Sequence, residues 1–159
     1  MRRREVIAGA ASFAVVSAAG AQQSSTVQRL AILSPSQPVA QMQENSSNPY
    51  YAAIFAELRR LGHVEGKNLA VQRYGTEQNT VGLDALAAEV VHGDPDVVLS
   101  IGSGSLQMKA ATTTIPLIIW DYDPLGRGLT KSLARPGGNI TGVAGDLDPS
   151  FRGAGIARP

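Results

Sequence analysis

The sequence predicts an α/β fold with a doubly wound parallel sheet. Short apolar runs alternate with segments of helical period along most of the 159 residues, the pattern of strands joined by crossover helices. The run 96–101 (DVVLSI) is rich in β-branched residues, as a central parallel strand should be. Gly, Pro and Asp punctuate the runs at intervals that leave room for one helix between successive strands.

The elements follow in order. Residues 29–33 (RLAIL) form a buried strand ending at Ser34-Pro35-Ser36, and 37–48 read as loop because polar residues and Pro38 interrupt them. Ile54, Phe55, Leu58 and Leu61 recur at helical spacing, which predicts a helix over 49–61 with Gly62 as its C-terminal glycine. A second strand fits 69–74, with Leu69, Val71 and the ring of Tyr74 set against a wetter face of Ala70, Gln72 and Arg73. Leu83, Leu86, Ala87 and Val90 predict a helix over 83–91, and Asp94-Pro95 breaks the chain before the third strand, 96–101. Residues 105–112 then read as a helix, 115–120 (IPLIIW) as a fourth strand, 125–133 as a short helix and 140–143 as a fifth strand. Right-handed crossovers place the loops after the strands along one edge of the sheet, where such folds bind ligands.

The first 21 residues read as an address. Arg2, Arg3 and Arg4 precede an uncharged apolar stretch from 6 to about 18, and Ala19-Gly20-Ala21 supplies the small residues of a cleavage site before Gln22. This is a secretory signal, with an apolar core short of the roughly 20 residues a membrane span needs. The expected organisation is therefore a signal peptide at 1–21, a polar linker at 22–28, an α/β lobe at 29–144, and a disordered or aberrant tail at 145–159. Cleavage leaves 11 basic against 12 acidic residues. With no basic helix and no RNP-like aromatic pattern, nucleic acid is not an expected partner. The chain has no cysteine, which removes disulfides, thiolate metal sites and a cysteine nucleophile. It also removes a lipid-anchoring cysteine, so no membrane anchor is expected and the mature protein is placed in the periplasm.

Candidate ligand residues lie on the predicted binding edge. Gly102, Ser103, Gly104 and Ser105 lead into a helix, where free amides attract a carboxylate and the glycines allow close approach; an ordinary turn and cap explains the same residues. In Asp121-Tyr122-Asp123 one carboxylate could pair with an ammonium group and Tyr122 could cover an apolar side chain, while Asp123 before Pro124 also suits a cap. Ser34 and Ser36 are candidates by topology. No dinucleotide fingerprint is present, since Gln107 stands at its third glycine, and no serine forms a nucleophile elbow. Two acids without a third ligand do not make a metal site. His63 and His92 follow helix ends and read as exposed cap residues, so no catalytic residue, metal or cofactor is expected. A small exported hydrolase acting through Ser103 or Asp121 remains the rival class, and it needs a base near the nucleophile.

Four phrases occur together: RRREVIAGAA at the start, ELRRLGHVEGKNLAVQRY at 57–74, KAATTTIPLIIW at 109–120 and SLARPGGNITGV at 132–143. In this order they resemble the bacterial ABC-transporter substrate-binding family with the type I periplasmic-binding fold, some of whose members bind aromatic amino acids. The resemblance implies two α/β lobes that close over a small amino-acid-like solute and deliver it to a permease in the inner membrane. It makes the loops at Ser34 to Ser36, Gly102 to Ser105 and Asp121 to Asp123 the first lobe's half of the cleft. Family members continue through a second lobe, whereas 145–159 is short and lacks apolar periodicity. The expectation is a chain truncated after its N-terminal lobe, with a non-functional fragment as the further alternative.

Overall fold

The computed structural model describes residues 27–78 and 80–145; the expected signal peptide and all of the expected tail except Gly145 lie outside the described residues. Five strands, β1 (Gln28–Leu33), β2 (Leu69–Tyr74), β3 (Val97–Ile101), β4 (Leu117–Asp121) and β5 (Ile140–Ala144), form one sheet in the order β2-β1-β3-β4-β5. Every pairing is parallel. Three helices connect them: α1 (Pro49–Arg60), α2 (Leu83–His92) and α3 (Ser105–Ala111). This is the doubly wound parallel architecture, with the order reversing at β1 and β3.

Local chemistry sets the helix ends. Asn48 precedes Pro49, and its Oδ1 accepts from Tyr50 N at 3.1 Å, so an amide cap and a proline at the first helical position start α1. At the other end Gly62 takes φ 91°. Its N–H donates to Arg59 O and that of His63 to Leu58 O, a paired closure that requires a left-handed residue at this position.

The two faces of the sheet are covered unequally. Ala31, Leu33, Val98, Leu117, Ile119 and Ile140 pack against Leu86, Ala87 and Val90 of α2, Met108 of α3, and Leu129. On the opposite face Leu30, Ile32 and Leu69 meet Tyr51 and Phe55 of α1 and Met42. Val97, Leu99 and Ile101 of β3 are only partly buried against that second cluster, and the same face of β4 and β5 leaves Ile118 39% and Val143 64% exposed.

Several boundaries differ from the sequence-based reading. Residues 125–133 are turns instead of a helix. Leu125, Leu129 and Leu133 have helical spacing, but Asp123 Oδ1 accepts from Gly126 N at 2.8 Å and Gly128 adopts φ 70°, which breaks the helical path. β4 starts at Leu117, because Ile115 N is held by Thr112 Oγ1 at 3.2 Å and Pro116 has no N–H to give. β3 starts at Val97, since Asp96 is a clamp: its Oδ2 accepts from Arg29 N at 2.7 Å and its N–H donates to Arg29 O at 2.9 Å. The loop 37–48 contains one 3-10 turn at Val39–Gln41, and Met42 after it is fully buried. In β2, Arg73 shares the α1 face with Leu69 and Val71. It forms two hydrogen bonds to Glu65 at 2.7 and 2.6 Å and lies 5.2 Å over the Phe55 ring, whereas Tyr74 joins the α2 cluster.

Candidate solute cleft

Parallel strands point their carboxyl ends toward one edge, and there the uncovered part of the α1 face opens into a cleft of about 660 Å³. The strand ends supply Ser34, Ile101, Gly102, Trp120, Asp121 and Tyr122, and the amino end of α1 supplies Asn48, Tyr50 and Tyr51. Leu99, Ile118 and Val143 make an apolar floor. Of the residues expected from sequence, Ser34, Ser36, Gly102, Asp121 and Tyr122 line this cleft, while Ser103, Gly104, Ser105 and Asp123 do not.

The chemistry of each position is specific. Ser34 is fully buried and its Oγ makes no hydrogen bond of normal length and angle. It lies beside the Tyr51 phenol; burial raises the pKa of that phenol, and the nearby Ser34 hydroxyl partly opposes the rise. Gly102 has φ 75°, so its bare backbone faces the cleft in a conformation that other residues rarely adopt. Ser103 is exposed. Gly104 is buried, and a Cβ there would come within 2.8 Å of Leu33 Cδ2 and 3.2 Å of Pro35 Cγ. Its glycine thus serves the close packing of the turn on β1. Ser105 is fully buried, with its hydroxyl 3.0 Å from that of Ser100.

The acids after β4 are engaged inside the lobe. Asp121 is 2% exposed; Oδ1 accepts from Asp123 N at 3.0 Å and Oδ2 is ion-paired with Arg127. Asp123 caps the following turn through Gly126. The Asp121 charge is paired with Arg127, and Asp123 lies outside the cleft lining. Among the described residues no cluster of three or more His, Asp or Glu could hold a metal. His63 and His92 close α1 and α2 at the opposite edge of the sheet, away from Ser103 and Asp121, the nucleophiles that a hydrolase reading would need.

Sequence reasoning named Tyr122 but missed the rest of the aromatic wall, Tyr50 and Trp120. Trp120 stands 5.7 Å from the Tyr50 ring and 5.6 Å from the Tyr122 ring, both tilted, within the range of favourable ring contacts. Tyr50 and Tyr122 are 65% and 57% exposed. The available signal was the position of Trp120, the single tryptophan of the chain, two residues after Ile118 at the carboxyl end of a strand, where alternation puts both on one face.

Among the described residues no helix is long and apolar enough to cross a membrane. The profile of the family described as ABC transporter substrate binding protein matches residues 39–150. A tyrosine-binding protein of Clostridioides difficile is 31% identical over 85 residues, covering 52% of this chain and 25% of the relative. Among solved structures, a conserved domain protein from Vibrio cholerae superposes with a TM-score of 0.67 at 27% identity, over 80% of this chain and 42% of that one. An ABC domain in complex with L-Trp from Streptococcus pneumonia superposes with a TM-score of 0.62 at 22% identity, over 75% and 39%. A ligand-free, open substrate binding protein with adhesive properties from Clostridium difficile gives 0.65 at 20% identity, over 78% and 41%. The chain therefore spans about two fifths of the solved structures it matches and a quarter of the curated relative. With the family profile covering well over half of the chain, the chain belongs to the ABC transporter substrate binding protein family.

Proposed function

We propose that this chain provides one wall of a solute receptor that captures an aromatic, amino-acid-like compound and hands it to a membrane permease without chemical change. The observation that carries the reading is the cleft at the carboxyl edge of the sheet, walled by Trp120, Tyr50 and Tyr122. Ligands bind at that edge in open α/β sheets, and aromatic walls suit planar apolar side chains. A tyrosine-binding relative and a solved structure in complex with L-Trp support the same solute class. In this reading residues 1–21 direct export to the periplasm and are removed after Ala21, and residues 29–144 form the binding lobe, with Ser34, Ser36, Gly102 and Tyr122 at the solute.

Calorimetry on the purified chain tests the proposal. L-Tyrosine and L-tryptophan should bind and L-leucine should not, with affinities in the high-micromolar range or poorer, because the described residues enclose the solute from one side only. Equal binding of all three, or of none, overturns it. Export is tested separately: N-terminal sequencing of periplasmic protein should begin at or near Gln22, and an intact Met1 on the folded soluble protein overturns the signal reading.

A further inference from the structure

We infer that the outer edge of β5 is a self-pairing site, where a second copy of this chain adds its own β5 in antiparallel register. β5 closes the strand order, and no described segment pairs with its far side. In the ladder with β4, Leu117 N donates to Asn139 O and Gly145 N to Asp121 O, so Asn139, Thr141, Val143 and Gly145 turn their backbone toward β4. The backbone groups of Ile140, Gly142 and Ala144 therefore point outward, a row of donors and acceptors that an added extended strand satisfies.

The opposite edge of the sheet is guarded. At β2 the outward groups belong to Leu69, Val71 and Arg73. Leu69 N donates to Val64 O at 3.2 Å, Leu69 O accepts from Gly66 N at 3.1 Å, and Val71 O accepts from Arg73 Nη1 at 3.3 Å. A loop and a charged side chain thus blunt that edge. Along β5 the residues 137–145 (GGNITGVAG) hold no charge and no proline, the usual guards of an exposed strand. No guarding side chain fits at the centre either, because a Cβ on Gly142 would collide with Ile119 O.

The strand is also its own complement. A two-fold axis at Gly142 sets Gly142 against its copy and Ile140 against Ala144 as hydrogen-bonded pairs, with Thr141 against Val143 as the closer, non-bonded pair. Thr141 and Val143 are exposed, uncharged and β-branched, which suits cross-strand contact. Leu133, beside the same strand, is exposed as well and adds apolar area. An edge this short buries less than the roughly 1,600 Å² of a standard interface, so the dimer is weak, half-formed at about 10–100 μM.

Sedimentation equilibrium on the purified chain tests the pairing. Wild type should pass from the monomer mass to twice that mass across this range. Thr141→Lys combined with Val143→Lys sets like charges opposite one another and should weaken association at least about tenfold. Thr141→Lys combined with Val143→Glu sets opposite charges together instead, and should stay within about threefold of wild type and weaken on adding salt. Circular dichroism checks that both variants fold; if the double-lysine variant does not, wild type and the mixed-charge variant decide. Wild type that is monomeric at about 1 mM, or that grows beyond twice the monomer mass, overturns the pairing. A double-lysine variant associating like wild type, or a folded mixed-charge variant that no longer associates, overturns it too.

Discussion

The two faces of the sheet differ in what they are built to do. On the α2 and α3 side the packing is closed: Leu86, Val90, Val98, Met108 and Leu117 are all fully buried. On the α1 side Leu30, Ile32 and Leu69 are buried, Val71, Leu99 and Ile101 only partly so, and β4 and β5 present Ile118, Trp120 and Val143 to the cleft. Adjacent residues of β4 alternate between these environments, so one strand carries stability on one side and recognition on the other. Tyr50, Ile118, Tyr122 and Val143, all exposed, gather where a ligand edge and an uncovered face meet, and a contiguous patch of this kind marks an interaction site.

Substitutions within β4 sharpen this contrast most strongly. Leu117→Ala should destabilise the fold by about 2–5 kcal/mol, as expected for a fully buried leucine, while Ile118→Ala beside it should cost less than about 1 kcal/mol. Urea unfolding of the two variants measures the difference, and equal losses would erase the distinction between the faces. Next in size is Asp121→Asn, which strands the half-buried Arg127 and should cost about 1–3 kcal/mol.

A smaller effect belongs to the closed face. The Ser100 and Ser105 hydroxyls are 3.0 Å apart and both residues are fully buried. Ser100→Ala or Ser105→Ala alone leaves an unsatisfied partner, at about 1 kcal/mol each, and the double variant should lose less than the sum. A double-mutant cycle by chemical denaturation gives that coupling.

The smallest effect is on the cleft side and depends on pH. Burial holds the Tyr51 pKa above its ordinary value, so above a pH of about 10 the unfolded chain loses this proton while the folded protein retains it. The unfolded state then binds fewer protons, and stability falls as pH rises through that window. Stability should be full below it, and wild type should lose less than about 1 kcal/mol more than Tyr51→Phe across it. Parallel alkaline unfolding curves for the two proteins would remove Tyr51 from the account.

Much of the fold was legible because it is local. The RLAIL and DVVLSI runs, the α1 period and its Gly62 stop each carry their signal within a few residues. The segment 125–133 misled because the leucine spacing is helical while the left-handed Gly128 and the Asp123 cap that break it depend on turn geometry. Part of the cleft was read from topology, since Ser34, Gly102 and Tyr122 follow strand ends. The aromatic wall was not, because Tyr50 and Trp120 are 70 residues apart and meet only through the strand order. Asp121 looked available for a local reason: Arg127, six residues on, reaches it only through the turn after β4.

The clamp between Arg29 and Asp96 spans 67 residues, and it sets a clock on folding. β1 lies between β2 and β3 in the finished sheet, so the first strand to be synthesised cannot complete its pairing until residues near position 100 have followed it. Central strands with distant partners make for slow, late-closing transitions. In a chain made from its amino end, β1 waits for residues near position 100 to emerge before its second edge can be paired.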